Sequence, residues 1–537
     1  AGMAFGISFA NHSTGPLREL LGPTLPLAKG SAQIIRFVFT LMLFPVSRGL
    51  MSFLRETHLN LILPFDDRIT MHRICGVVAA VATLVHVAAH CVNYVRWADE
   101  GRYHLWVEAF PDEAAHEDQP TVAELWSRSI SITGIFMCAC FGLALPFALH
   151  WPRRSLRFAA CFPRVAACLN SFNAFTITHQ LLLLMYIGLV LHPPFWKNPD
   201  TLCWVGLPVL IYLIDRVRGL LRRTLHFQTQ LLSVGILPGR VVELRLMKPS
   251  GWTTKPGSYL FIQIPTISMW EWHPFSISSA PDDPYISLHI RKLGDWTGEL
   301  YAMVEQTVRT AKAGEKHCAT GARIKTAASM CLPSVRIDGP YGAPTVGVQQ
   351  YEVMMLIGAG IGVTPFASVL QDLVYKMRQC EDEEADGSVS IMMKKVYMFV
   401  VVATAEEGTW FKDAVESALS FDGGERFEYH LHVTQKAADG TDLAHKRLFS
   451  TMRGIYHRST GRDVVTGMKV NENSQTKMGR PNWEEYFKRV KELHPSTDVG
   501  VFFCGPMGLG VQLSKMCRKH SRRDGTRFHY VSESFRV

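Results

Sequence analysis

Twelve cysteines are scattered through the 537 residues without any arrangement that would carry structure or chemistry. They form no metal-ligand spacing and no disulfide framework, and several sit inside apolar runs, which excludes a thiolate metal site or a stapled secreted scaffold. No Cys-x-x-Cys-His occurs, no calcium-binding EF-hand loop occurs, and no signal peptide is evident. The chain begins with Ala1, as expected of a processed or trimmed form. Beyond Leu225 there are no long apolar runs, and the pattern is that of a soluble protein; before about Ile214 such runs recur. The slightly positive mean hydropathy of +0.07 averages two unlike halves.

The net charge of +9 does not point to nucleic acid, because basic residues cluster in short segments beside the apolar runs. Arg153, Arg154 and Arg157 form one cluster; Arg216, Arg218, Arg222 and Arg223 form another. By the positive-inside rule both face the cytosol. The segment from Trp97 to Trp126 is instead rich in acid, as fits an outer loop. Candidate helices cover about Ala28 to Leu54, Ile69 to Val95, Ile130 to His150 and Ser171 to His192, with a last apolar run at Leu202 to Ile214. The apolar segment at residues 1–10 is too short to span and reads as the tail of a helix cut away upstream.

Two of these runs carry paired histidines. His72 and His86 are fourteen positions apart, which places them ~21 Å apart along a helix and within about 40° of one face. His179 and His192 are thirteen apart, about 140° apart on an ideal helix. That helix must bend, for which Gly188 offers a place, or its two groups must approach from different sides. A lone membrane histidine is more often a structural hydrogen-bonder, but imidazole in hydrocarbon is costly without a partner, and a matched pair of pairs is a stronger signal. The topology pairs His72 with His179 near the cytosolic face and His86 with His192 near the outer face. Such pairs can hold two stacked b-type haems, each ligated from both sides.

The second half begins with short alternating strands, VVELRLMK, SYLFIQIP and YISLHIRK, which predict an antiparallel barrel-like domain. From Glu352 the pattern becomes strand, glycine-rich turn and helix, the start of an α/β nucleotide-binding domain. Gly358, Gly360 and Gly362 open that helix, where a pyrophosphate could approach the backbone and meet the helix N-terminus. A glycine turn alone is weak evidence. It is strengthened by HPFSISSAP (His273 to Pro281), HIRKLGDWT (His289 to Thr297), DGPYG and FCGP.

Together these motifs resemble the catalytic core of an NADPH oxidase of the ferric reductase transmembrane superfamily, most like the plant respiratory-burst oxidases and their protist relatives. The resemblance implies a multidomain membrane protein. An all-α transmembrane di-haem helical bundle (1–224) would precede a ferredoxin-reductase-like module, with an antiparallel β-barrel FAD domain (225–345) and an α/β NADPH-binding domain (346–537). It implies an enzyme of the plasma membrane, its flavin and nicotinamide domains cytosolic, moving electrons from NADPH through FAD and two haems to extracellular oxygen, with superoxide as product.

By the same resemblance His273, Pro274, Phe275, Ser276, Ile277, Ser278 and Ser279 hold the flavin, and Arg291, Trp296 and Thr297 complete its site. Gly358, Gly360, Gly362, Thr364 and Pro365 line the NADPH pyrophosphate, Cys504, Gly505 and Pro506 flank the nicotinamide, and Arg480 in GRPNW meets the 2′-phosphate. Lys29 and His90 match positions that serve oxygen reduction beside the outer haem, and Phe535 matches an aromatic residue that covers the flavin. Three departures stand out. Ala403 occupies the place of an arginine that reads the 2′-phosphate, Arg536 and Val537 follow Phe535, and the first transmembrane helix is mostly missing. The nearest rival is a transmembrane ferric-chelate reductase, which shares the electron path; the thirteen-residue spacing favours the oxidase. A non-catalytic haem scaffold is disfavoured because both histidine pairs and the flavin motif are intact. The sequence does not show how activity is switched or which partner subunits exist.

Overall fold

The computed structural model describes residues 2–55, 57, 68–149, 165, 172–192, 200–225, 228–314, 324–325, 334–383, 393–421, 425–434, 442–469, 474–522 and 525–533. The chain divides into two compact units, Ala1–Arg218 and Gly219–Val537.

The first unit is helical. Its principal helices are α1 (Gly2–Asn11), α2 (Thr24–Met42), α3 (Arg68–Trp97), α4 (Ser129–Ala148), α5 (Phe172–Leu191) and α6 (Asp200–Leu225). Among the described residues four segments, Thr24–Val46, Arg68–Trp97, Ser129–Ala148 and Ala174–Leu191, are long and apolar enough to cross a membrane. These are spans of an integral membrane protein. Their large exposed side chains, such as Leu84, Ile132 and Ile177, suit lipid rather than water. The expected single helix over 28–54 is divided. It breaks at a short 3₁₀ turn over Phe44–Val46, where Pro45 has no N–H to offer the ladder, and resumes as Arg48–Arg55.

Inside the bundle one apolar core joins five helices, through residues such as Phe39, Ala79, Met137, Tyr186 and Val205. The Tyr186 hydroxyl, too polar to bury unpaired, donates to the Phe39 carbonyl at 3.0 Å. After Trp97 the chain forms short helices, among them Tyr103–Ala109 and Val122–Ser127. Trp106 buries itself there against Leu20, Leu21 and Leu25 and ties this segment to the entry of α2.

The second unit begins with two four-stranded antiparallel sheets, in the orders β1-β8-β4-β5 and β6-β3-β2-β7. Their strands are β1 (Gln228–Thr229), β2 (Leu231–Leu237), β3 (Val241–Met247), β4 (Tyr259–Gln263), β5 (His273–Ser276), β6 (Tyr285–Arg291), β7 (Ile324–Lys325) and β8 (Val335–Tyr341). Helix α7 (Asp295–Gly314) packs Trp296, Leu300 and Val304 into the core between them. The three strands expected from sequence appear as β3, β4 and β6.

A six-stranded parallel sheet follows, in the order β12-β11-β10-β9-β13-β14. Its strands are β9 (Val353–Ala359), β10 (Lys395–Val402), β11 (Phe427–Val433), β12 (Gln475–Met478), β13 (Asp498–Cys504) and β14 (Arg527–Glu533). Alternate residues of β9 serve opposite cores. Met354 and Leu356 meet Phe366 and Leu370 of α8 (Thr364–Glu383). Val353, Met355 and Ile357 meet Phe487 of α9 (Trp483–Leu493) and Leu513 of α10 (Met507–His520). Burial on both faces explains the unbroken apolar runs of these strands. The stretch from Ala437 to Gly479, from which sequence yielded little, contains a helix over Asp442–Thr460 as well as β12.

Candidate functional site

The bundle brings the four histidines together in the expected pairs. Ring centroids of His72 and His179 lie 6.1 Å apart, and those of His86 and His192 lie 6.4 Å apart. One metal ligated by two imidazoles would set their centroids ~6.3–6.5 Å apart, from metal–nitrogen distances of ~2.0–2.1 Å and ~1.15 Å from nitrogen to ring centre. The His86–His192 pair falls within that range, and the His72–His179 pair lies just short of it. No group of three or more metal-ligating side chains exists among the described residues, so the pairs stand as two-ligand sites.

Hydrogen bonds fix which nitrogen three of the four rings present. Nδ1 of His72 meets the Met42 carbonyl and Nδ1 of His86 the Ala28 carbonyl, each at 3.0 Å. A carbonyl only accepts, so both Nδ1 atoms carry the proton and Nε2 keeps its lone pair for a metal. His192 Nδ1 lies 3.0 Å from Thr133 Oγ1. The Thr133 hydroxyl proton already goes to the Ser129 or Ile130 carbonyl, each 3.0 Å away, so His192 is the donor there too. His179 differs: its Nδ1 is buried with no hydrogen-bond partner among the described residues.

On α5 the second histidine stands at the helix end. The helix runs continuously to Leu191, and His192 is the first residue past it, still joined by its N–H to the Gly188 carbonyl at 2.8 Å. Gly188 lets α4 pack closely. A Cβ there would lie 2.7 Å from Met137 Cγ on α4. On the same helix Gly134 leaves room for the His192 ring, 3.3 Å from where its Cβ would stand. Thr133 and Gly134 are contributions of α4 that no spacing rule reveals.

A cavity of about 360 Å³ surrounds the His86–His192 pair. Lys29 and Arg36 of α2 line it, with His90 and Tyr94 of α3. The His90 ring lies 4.6 Å from that of His86, edge to face, and the Tyr94 hydroxyl shares a 2.6 Å hydrogen bond with Ser131. The structure thus collects Lys29 and His90 beside the pair where sequence placed them.

In the second unit β5 and the start of α7 form one aromatic surface. His273 and Trp296 have centroids 4.4 Å apart, and Phe275 stacks on Trp296 at 6.0 Å. Pro274 lies between them on β5, opposite Phe261, and Ser276 is buried opposite Tyr259. Ile277 points into the barrel core. Ser278 Oγ is engaged with Ser287 and His289, whereas Ser279 Oγ accepts from the Ser287 N–H and keeps its own proton to donate. Thr297 Oγ1 accepts from the N–H groups of Leu293 and Gly294 and closes the turn before α7. Phe535 lies outside the described residues.

At the carboxyl ends of the parallel strands, the order reverses between β9 and β13, the place where open α/β sheets receive ligands. Gly358 closes on Val363, and Gly360 turns with φ +58°, a conformation that favours glycine. Gly362 faces Cys504 so closely that a Cβ would stand 2.2 Å from the Cys504 carbonyl oxygen. Gly505 abuts Ala359 in the same way. Thr364 and Pro365 begin α8, with the Thr364 hydroxyl on the Ile361 carbonyl. Pro506 precedes α10 as its N-cap residue. Burial holds the Cys504 thiol far above its ordinary pKa, with the Glu533 carboxylate adding to the shift, so it stays protonated.

Arg291, at the end of β6, reaches the glycine turn, its Nη1 lying 3.2 Å from a would-be Gly360 Cβ. Its Nη2 is 3.5 Å from Glu407. Arg480 is exposed just beyond β12. Ala403 follows β10 and gives its N–H to Glu407 at 3.3 Å. Residues 403–407 read Ala-Thr-Ala-Glu-Glu, so that turn supplies acid and no cation.

Family comparisons divide the chain along the same lines. Residues 30–190 match a ferric reductase like transmembrane component, 226–345 an FAD-binding domain and 351–518 a ferric reductase NAD binding domain. Respiratory burst oxidase homolog protein F of Arabidopsis thaliana is 33% identical over 96% of this chain and 56% of its own length. Protein A of Solanum tuberosum is 32% identical over 96% and 56%, and protein D of Arabidopsis thaliana 31% over 99% and 58%. The chain resembles the respiratory burst oxidases over nearly its full length. It spans little more than half the length of these relatives. Its architecture is a transmembrane helical bundle followed by a ferredoxin-reductase-like FAD and NAD module, as the motifs predicted.

Proposed function

We propose that the chain is the catalytic core of a transmembrane NADPH oxidase that carries electrons from cytosolic NADPH to extracellular oxygen and releases superoxide. The observation that carries this reading is the two facing histidine pairs on membrane-spanning helices, in one chain with FAD-binding and NAD-binding domains. Bound FAD would divide a hydride into single electrons, and two b-type haems would pass them singly across the bilayer.

The residues take these roles. His72 with His179, and His86 with His192, would hold the two haem irons, and oxygen would be reduced beside the His86–His192 pair. Lys29 stabilises the negative charge that develops there, and His90 is the adjacent donor. His273, Pro274, Phe275, Ser276 and Trp296 bind the flavin, and Ile277, Ser278 and Ser279 shape the backbone behind it. Arg291 serves the flavin pyrophosphate and Thr297 holds the adjoining turn. Gly358, Gly360, Gly362, Thr364 and Pro365 admit the NADPH pyrophosphate, and Cys504, Gly505 and Pro506 flank the nicotinamide. Arg480 pairs with the 2′-phosphate, whose charge suits a guanidinium. Phe535 covers the flavin. The domain limits are 1–224, 225–345 and 346–537. The enzyme sits in the plasma membrane, with the basic segment at Arg216 and Arg218 and the whole second unit in the cytosol.

Purified protein in liposomes, loaded with FAD and haem, tests this. NADPH-driven cytochrome c reduction that superoxide dismutase abolishes supports the oxidase. The ferric reductase character of two of the matched domains makes metal reduction the second reading. Dismutase-insensitive transfer that is fastest with ferric citrate would establish that reading instead and remove the oxygen roles of Lys29 and His90. No NADPH-dependent haem reduction at all would leave a scaffold.

A further inference from the structure

His432 on β11 belongs to none of the motifs above, yet it sits behind the turn that carries Arg480. Its Nδ1 is 3.3 Å from the Gly479 carbonyl, and its Nε2 is 3.1 Å from the Tyr486 hydroxyl on α9. The carbonyl can only accept, so Nδ1 carries the proton, and the Tyr486 O–H must donate to Nε2. Both ring nitrogens of a buried side chain are thereby satisfied. Gly479 is also held from its other side, its N–H donating to the Val433 carbonyl at 2.7 Å, and it turns with φ +98°, where a side chain would be strained. The residue before Arg480 is thus pinned at its N–H by β11 backbone and at its carbonyl by His432. Tyr486, the other partner of His432, carries the Lys477 ammonium over its ring at 5.1 Å from the centroid. One neutral imidazole therefore fixes the backbone before one cation and the aromatic platform under a second. Across the carboxyl ends of the neighbouring strands the turn after β10 offers only Ala403, Thr404, Ala405 and acids, so discrimination falls on this edge.

We infer that His432 is a positioning residue for nucleotide selectivity, holding the Gly479–Arg480 turn and, through Tyr486, Lys477 in place to receive a 2′-phosphate. The inference rests on the assignment of Arg480 to the 2′-phosphate.

The test uses the full chain in detergent with FAD and haem. Calorimetry gives affinities for two redox-inert probes, adenosine 2′,5′-bisphosphate and 5′-AMP, and steady-state kinetics give KM and kcat with NADPH and NADH. Arg480→Ala should weaken the bisphosphate ~10- to 100-fold, as loss of a charge-assisted pair does, and leave 5′-AMP within 2-fold. His432→Phe should weaken the bisphosphate roughly 3- to 10-fold and raise KM for NADPH alike, with kcat and the NADH parameters within about 2-fold. His432→Asn, whose amide can still donate to the Gly479 carbonyl, should recover most of the loss, and Tyr486→Phe should reproduce part of it. If Arg480→Ala weakens both probes equally, the 2′-phosphate assignment fails and the inference with it. If Arg480→Ala discriminates but His432→Phe and Tyr486→Phe shift both probes alike, or neither, the assignment stands and the positioning role of His432 is overturned.

Discussion

Thr133→Val isolates what α4 does for the His86–His192 pair. Valine keeps the shape of threonine and deletes the hydroxyl that accepts the His192 Nδ1 proton at 3.0 Å. His192 is half-buried at the cavity wall, where the Ile130 backbone carbonyl is a second acceptor beside its ring. A buried donor left wholly unpaired costs ~1–3 kcal/mol, a factor of roughly 5 to 150, which is the upper limit here. The partner of a metal-bound histidine is worth about 10- to 100-fold in affinity, which agrees. The His72–His179 pair has no contact with Thr133 and its own Nδ1 pattern, with His72 on a carbonyl and His179 unpaired. The expected outcome is therefore asymmetric. In transfer of haem to apomyoglobin, one of two haems should leave ~10- to 100-fold faster from Thr133→Val, and the other at the wild-type rate. Thr133→Ser should behave as wild type. Two haems leaving at unchanged rates, or serine behaving like valine, would refute the claim that this hydroxyl orients His192.

At the nucleotide turn, Gly362→Ala forces a Cβ to within 2.2 Å of the Cys504 carbonyl oxygen, against backbone that cannot swing away. It should cost ~1–3 kcal/mol of stability in thermal unfolding and slow flavin reduction by NADPH in stopped flow; normal values for both would show that the turn and the Cys504 loop are not in contact. Burial holds His432 neutral down to a pKa of about 4, below its ordinary 6.5, with nearby His430 and Lys477 adding to the depression. Below pH 6.5 the unfolded chain takes a proton that the native one refuses. This site should therefore cost stability as pH falls from 6.5 toward 4, by ~3 kcal/mol in all, and no further below that. Thermal unfolding across that range should show a shallower decline in His432→Phe; parallel curves would place the imidazole in water.

Much of the site could be read without coordinates because its parts are local. A glycine turn after an apolar strand, HPFSIS, and paired histidines on apolar runs each carry their chemistry within a few residues. The contributions that escaped notice are distant in sequence. Thr133 and Gly134 reach His192 from another helix, and His432 reaches Gly479 from a neighbouring strand. The single helix expected over 28–54 is interrupted for a local reason: Pro45 has no N–H to continue the ladder. The role of Gly188 is tertiary: it is small where Met137 of α4 packs against it.

Hydrophobic run length and histidine spacing determined that this chain crosses a membrane and which histidines should meet, because a bilayer fixes how far apart two sites on one helix can usefully lie. Alternation and glycine placement determined the order of a barrel and a parallel sheet. Only the tertiary structure decided that the rings of the two pairs stand 6.1 and 6.4 Å apart and which nitrogen His72, His86 and His192 present. It alone decided that three of the four Nδ1 atoms are engaged while that of His179 is not. Ring separations and hydrogen-bond partners come from packing between elements remote in the chain, and no pattern within one element encodes them.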